Sequence, residues 1–170
     1  MDVAAVELLI LDVDGVLTDG RIVTAPGGGA TKAFCAQDGF AVRLWQRAGG
    51  KLAILSGRAD EVVAKRAREL GIERVRTGVA DKTAGYRALL DETACPDNVV
   101  GYVGDDLPDL GPMTRCGFPV AVANATPAVK RVAHYVTRRA GGCGAVAEVV
   151  ELLLRQRGQW SQVLGELIDR

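Results

Sequence analysis

Residues Leu8-Leu9-Ile10-Leu11 form an unbroken apolar run that stops at Asp12-Val13-Asp14-Gly15. A strand that is apolar at every position must be covered on both faces, the condition of a central strand in a parallel sheet. Open sheets of that kind gather ligands outside the carboxyl ends of their strands. Two carboxylates spaced i, i+2 at such an end are costly to desolvate unless a cation joins them. A divalent metal meets that demand, with Asp12 as a candidate nucleophile and Asp14 as a candidate acid/base. Asp-Gly also favours turns, so taken alone the segment admits a turn or capping role.

The rest of the chain alternates strand-like and helix-like segments, the pattern of a parallel α/β sheet. Two short extended pieces, Arg21–Thr24 and Thr31–Phe34, flank Ala25-Pro26-Gly27-Gly28-Gly29-Ala30 and read as a β-hairpin over about residues 21–34. Asp38 is placed to cap a helix running to about Ala48. Leu52–Leu55 reads as a core strand, and Ala59–Leu70 as a helix stopped by Gly71. A strand at Arg74–Thr77, a helix at Asp81–Thr93 and a buried strand at Val99–Val103 follow. Leu107–Cys116 reads as a helix that tolerates Pro108 only at its start. Phe118–Val122 and Tyr135–Thr137 read as strands flanking a short helix at Thr126–Val132. A helix from Ala145 and a tail that includes Trp160–Ile168 occupy about 145–170. The expectation is one domain over residues 1–170: a Rossmann-like parallel sheet flanked by helices, with a hairpin after the first strand and no cap domain.

Composition excludes several classes of function. Lys plus Arg and Asp plus Glu balance at 21 each, so no global field recruits nucleic acid or an acidic membrane. No basic region precedes the first apolar run and no small-residue cleavage site follows it, so it does not read as a secretory signal. Nothing approaches the length of a membrane span. Cys35, Cys95, Cys116 and Cys143 are scattered and His134 is the single histidine, which argues against zinc and for reduced thiols in a cytoplasmic protein.

Four polar clusters follow the apolar strands. They are Asp12 with Asp14, then Ser56 after Leu52–Leu55, then Lys82 opening a helix, then Asp105 and Asp106 with Asp109 nearby. On parallel strands these meet on one rim, where each residue type suits phosphoryl transfer. A carboxylate attacking a phosphate dianion meets charge repulsion, which a bridging metal relieves. Asp12 and Asp105 offer the hard oxygen ligands that Mg²⁺ prefers. Ser56 and Lys82 can hold phosphoryl oxygens. Asp14 can protonate the leaving alcohol and then deprotonate the hydrolytic water. One by one these residues have plainer uses: a turn serine, a solvated lysine, helix-capping acids. Their order after successive strands favours catalysis.

Asp12-Val13-Asp14-Gly15-Val16-Leu17-Thr18-Asp19-Gly20, Ser56-Gly57-Arg58, Lys82 and Gly104-Asp105-Asp106-Leu107-Pro108-Asp109 resemble the four motifs of the haloacid dehalogenase superfamily. Lys32-Ala33-Phe34, Asp38-Gly39-Phe40 and Gly141-Gly142-Cys143-Gly144-Ala145 are similar to marks of its capless phosphatases of 3-deoxy-D-manno-octulosonate 8-phosphate. The resemblance runs from Leu8 to about Arg157. It implies Mg²⁺ held by Asp12, the Asp14 main-chain oxygen and Asp105, and an aspartyl-phosphate intermediate on Asp12. It also implies a homotetramer joined by the hairpin, and a role in lipopolysaccharide sugar synthesis. Substrate contacts are implied at Asp14, in the Cys35-Ala36-Gln37-Asp38-Gly39 loop, and at Arg43, Arg58, Arg66 and Lys82. Bidentate arginines suit the carboxylate of a sugar acid, although Arg43 and Arg66 could equally solvate helix faces. Gln37 and Cys143 stand where that family commonly has arginine, Ser56 where threonine is frequent, and Ala59 where lysine is. A phosphatase for a related nine-carbon sugar-acid phosphate and a non-catalytic phosphatase-like scaffold are the alternatives.

Overall fold

The computed structural model describes residues 2–24 and 30–168. The first apolar run becomes β1 (Leu8–Leu11), whose four residues are all fully buried. It sits near the middle of a six-stranded parallel sheet with β4 (Lys51–Leu55), β5 (Arg74–Arg76), β6 (Val100–Gly104), β7 (Phe118–Ala121) and β8 (Tyr135–Val136). The strand order is β5-β4-β1-β6-β7-β8. The chain steps outward from β1 to β4 and β5, then returns to the other side of β1 for β6, β7 and β8. Right-handed crossovers therefore send the helices of the two halves to opposite faces. Helices α1 (Ala36–Arg47) and α2 (Glu61–Leu70) pack together, and α6 (Ala145–Gln156) returns to lie on α1. Helices α3 (Lys82–Thr93), α4 (Leu110–Met113) and α5 (Pro127–Val132) form the other group, and α7 (Trp160–Ile168) follows α6 and packs on it.

Register fixes the rim. Leu11 pairs with Ile54 of β4 and with Val103 of β6, so the residues just beyond these positions emerge side by side. The reversal of strand order lies between β1 and β6, where a doubly wound sheet opens its ligand crevice.

Four expectations need adjustment. The hairpin is present but short: β2 (Val23–Thr24) and β3 (Ala30–Thr31) pair antiparallel, and the remaining tip residues, Gly27–Gly29 among them, lie outside the described residues. Phe34 turns inward to pack against the core instead of extending the strand. Helix α1 starts at Ala36 with Cys35 as its N-cap, so Asp38 lies inside the first turn and does not cap it. The Leu107–Cys116 helix divides into a 3₁₀ turn (Leu107–Asp109) and the single turn of α4. Pro112 has no N–H to donate, and the Asp109 carboxylate takes the N–H groups of Asp105 and Asp106 for itself.

Candidate active site

Asp12 follows β1 directly, and its N–H donates to the Val103 carbonyl at 3.1 Å, continuing the ladder by one step. Beyond it the chain folds into a tight loop. The N–H groups of Val16, Leu17 and Thr18 all donate to the Val13 carbonyl, and the buried Thr18 hydroxyl accepts from Gly15 and Gly20. Gly15 has φ +90°, and a Cβ there would lie 2.0 Å from Asp105 Oδ2. The absent side chain is what lets the Asp105 carboxylate approach the Asp12–Gly15 loop.

Lys82 is the first residue of α3, whose N-cap is Asp81. A cation there opposes the helix dipole, and two carboxylates compensate: Lys82 Nζ lies 2.9 Å from Asp12 Oδ2 and 2.7 Å from Asp109 Oδ1. Burial works against the ammonium, but Asp12 and Asp109 outweigh it and hold its pKa above the ordinary lysine value. Asp109 is fully buried and saturated. Oδ1 also accepts from the Tyr102 hydroxyl at 2.8 Å, while Oδ2 accepts the N–H groups of Asp105 and Asp106 at 3.0 and 3.2 Å. Asp109 thus fixes the Asp105 loop and Lys82 together, whereas the exposed Asp106 caps the 3₁₀ turn.

The electrostatics call for a further cation. Burial, with the Asp109 charge, raises the Asp12 pKa to about 6 against the pull of Lys82. Burial, with Asp12 and Asp109, pushes Asp105 to about 8. Carboxylate oxygens of Asp12, Asp105 and Asp109 lie within 4.8 Å of one another. Asp105 Oδ1 is buried without a hydrogen-bond partner, while Asp109 has already used both of its oxygens. An all-oxygen set with an orphaned carboxylate oxygen fits a hard divalent cation, with Asp12 and Asp105 as its side-chain ligands.

Ser56 is buried on the same rim just past β4, and its hydroxyl accepts the Arg58 N–H at 3.4 Å. The Asp14 carboxylate is engaged by Lys32 through Oδ1, while Oδ2 is buried and without a partner. Lys32 Nζ also lies 3.5 Å from Asp60, the N-cap of α2. Sequence reasoning did not assign Lys32 and Asp60 to the site. A lysine just after an exposed hairpin looks solvated, and the Asp14–Lys32–Asp60 contact exists only in three dimensions.

The expected substrate contacts divide. Cys35 is half-buried, and Ala36, Gln37 and Arg58 are exposed. Gln37 Oε1 accepts from Arg139 Nη1 at 2.8 Å. Asp38, by contrast, is buried and bonded to the Gly144 and Ala147 N–H groups at 3.2 and 2.8 Å, so it caps α6, whose own N-cap is glycine. Burial raises its pKa against the pull of those N–H groups and Arg139. Gly39 is packed against the Arg66 guanidinium, which pairs with Glu69 at 3.2 Å and lies over the Phe34 ring. Arg43 donates to the Glu69 carbonyl at 2.8 Å. Arg43 and Arg66 are thus tied into the junction of α1 and α2.

The Gly141–Gly144 segment completes the loop. Gly142 donates to the Val16 carbonyl at 2.9 Å, and a Cβ on Gly141 would fall 1.6 Å from the Gly15 carbonyl oxygen. Only glycine allows that crossing.

Residues 71–150 match the family model of haloacid dehalogenase-like hydrolases. The chain is 42% identical over 163 residues to the 3-deoxy-D-manno-octulosonate 8-phosphate phosphatase of Escherichia coli K12, covering 96% of this chain and 87% of that protein. The chain belongs to the haloacid dehalogenase-like hydrolases. That membership, among phosphatases, makes it a phosphoric monoester hydrolase. The crystal structure of the octulosonate phosphatase of Moraxella catarrhalis, in complex with magnesium, phosphate and the sugar acid, superposes with a TM-score of 0.95 at 36% identity, covering 98% of this chain and 95% of that one. The cobalt-bound Haemophilus influenzae phosphatase superposes with a TM-score of 0.92 at 32% identity, covering 95% and 94%. The family's six-stranded parallel core is present, and no cap domain occurs among the described residues.

Proposed function

We propose that this chain is a Mg²⁺-dependent phosphomonoesterase that works through an aspartyl-phosphate on Asp12. Its substrate is 3-deoxy-D-manno-octulosonate 8-phosphate, in lipopolysaccharide sugar synthesis in the cytoplasm. The observation that carries this reading is Asp12 at the end of β1, with Lys82 at 2.9 Å and the unpartnered Asp105 oxygen on the same rim. The Asp12 and Asp105 carboxylates and the Asp14 main-chain oxygen would hold Mg²⁺, which when bound neutralises charge between carboxylate and phosphate.

An Asp12 oxygen attacks phosphorus, the ester P–O bond breaks, and the departing sugar oxygen takes a proton from Asp14. Water then attacks the aspartyl-phosphate and gives its proton to Asp14, and the bond from phosphorus to Asp12 breaks to regenerate the carboxylate. Ser56 and Lys82 hold the equatorial phosphoryl oxygens as charge redistributes. Lys82 also restrains Asp12 in the attacking position. The relatives' substrate supports the octulosonate assignment. The whole chain serves as one catalytic domain, with substrate contacts drawn from Asp14, Lys82, Cys35 and the Ala36–Gly39 first turn of α1, Arg58 and the Arg43/Arg66 junction.

A panel of sugar and sugar-acid phosphates with Mg²⁺ tests the reading, with phosphate release as the readout. Octulosonate 8-phosphate should show the highest kcat/KM. A preference for a nine-carbon sugar-acid phosphate would move the substrate, and no release from any ester would refute the enzyme.

The assembly is a homotetramer in this proposal. Ile22 and Val23 are 52% and 55% exposed on and beside a hairpin whose strands are two residues long. Such a ribbon is marginal alone, and burial between copies would stabilise it. The double variant I22D/V23D should lower the mass measured by light scattering. A monomeric mass for the wild type would sink the proposal.

A further inference from the structure

Lys32 joins two elements that are far apart in sequence. It follows β3 and reaches both Asp14, 18 residues earlier, and Asp60 at the start of α2. Its side chain is 5% exposed, against 20% for Asp14 and 11% for Asp60. A lysine so enclosed, with carboxylates of two different loops around its ammonium, is a fixed donor and not a solvated surface group.

The Asp14 carboxylate has two oxygens in different situations. Oδ1 is taken by Lys32, whereas Oδ2 is buried without a hydrogen-bond partner. A short acid has two rotatable side-chain bonds, and one strong charge-assisted contact at one oxygen fixes where the other points. Asp60 restrains Lys32 in turn through Oδ2, while its Oδ1 accepts the Val62 N–H at 2.9 Å and so ties the pair to α2.

We propose that Lys32 is a positioning residue for the acid/base: by holding Asp14 Oδ1, it presents Oδ2 as the oxygen that passes the proton to the leaving group. The inference rests on Asp14 acting as the acid/base of a phosphatase. It gives the hairpin a second duty, since displacement of β3 would carry Lys32 with it and misdirect Asp14.

Leaving groups that do and do not need a proton separate this role from a general structural one. The K32M variant keeps the aliphatic stem and removes the donor. On an alkyl ester such as octulosonate 8-phosphate, its kcat/KM, which reports the steps up to departure of the alcohol, should fall about 100-fold, in line with the usual contribution of a positioned general acid. On p-nitrophenyl phosphate, whose phenolate departs unprotonated, kcat/KM should fall less than about threefold, because the later water step that Asp14 also serves does not enter this ratio. K32R, which keeps a charged donor, should recover part of the alkyl-ester rate. D60N can still cap α2 and should show the same ester selectivity in weaker form. Equal losses on both esters, or no loss on either, would overturn the role of Lys32. Because both rates come from one preparation, partial misfolding scales them together and counts against the proposal only if their ratio is unchanged. Wild-type protein that hydrolyses neither ester would instead defeat the phosphatase reading, and this inference with it.

Discussion

The rim between β1 and β6 and the opening around the hairpin are built on opposite principles. At the rim, Lys82 and Asp109 are each restrained more than once: Asp109 alone accepts four hydrogen bonds, from Lys82, Tyr102 and two backbone amides. Around the opening, Gln37, Phe40 and Arg58 are exposed, and the hairpin is a two-residue ladder. Phosphoryl transfer demands sub-ångström placement of charge, which a single chain supplies by burial and saturation. Recognition of the rest of the substrate can be left to surfaces that loops or a second copy complete. The reaction is thus fixed inside the fold, while selectivity is adjustable at its margin.

The sharpest way to break this contrast is at Asp12. D12N keeps the shape and removes the nucleophile, so phosphate release should fall by about 10⁴-fold, with an unchanged far-UV spectrum. Near-wild-type turnover would place the chemistry elsewhere. D109A strikes the rim without touching the proposed reacting atoms. It strands the Tyr102 hydroxyl and two amides, leaves the buried Lys82 with Asp12 as its one carboxylate partner, and should cost about 3–5 kcal/mol in chemical denaturation, with activity lost as Asp105 loosens. A loss near zero would mean that the rim is not over-restrained.

A third test uses acidity. Asp105 and Asp12 are raised to about 8 and about 6, above the ordinary carboxylate value of 3.8. Between about pH 4 and 8 the folded, cation-free protein therefore holds more protons than the unfolded chain, and its stability should decline as pH rises. Mg²⁺ relieves the repulsion between the ionised carboxylates. The gap in Tm between Mg²⁺-saturated and EDTA-treated protein should then widen from pH 5 to pH 8 and narrow toward acid. A gap independent of pH would remove Asp12 and Asp105 as the ligands. The smallest expected effect lies toward the margin: D38A removes the cap of α6 and should cost about 1–2 kcal/mol, measured by urea unfolding.

What could be read in the sequence was the part set by local alternation. Each apolar run that ended in a polar residue marked a strand of the sheet, and parallel pairing brought Asp12, Ser56, Lys82 and Asp105 to one rim. The helix stop at Gly71 was equally local, because a left-handed residue there favours glycine. Asp38 was misread for the opposite reason. An acid at the start of a helix resembles a cap for that helix, but its partners are amides more than 100 residues away. Lys32 and Asp60 carry no periodic signal, since their pairing depends on the chain after the hairpin bringing Lys32 to the N-cap of α2. Arg43 and Arg66 were visible as cations, but nothing local showed that Glu69 would engage them both.

The crossing of Gly141 and Gly142 over the Gly15–Thr18 loop also has a consequence for synthesis. A nascent chain that has reached residue 130 already contains Asp12, Asp14, Ser56, Lys82, Asp105 and Asp109. It still lacks the segment that lies across the first loop, and the amides of α6 that Asp38 awaits. The N-terminal loop and Asp38 must therefore wait, uncovered, for the Gly141–Gly144 segment and α6 to leave the ribosome. At about 5–20 residues per second, that interval is a matter of seconds, and in it the molecule has its full catalytic inventory without the alignment to use it.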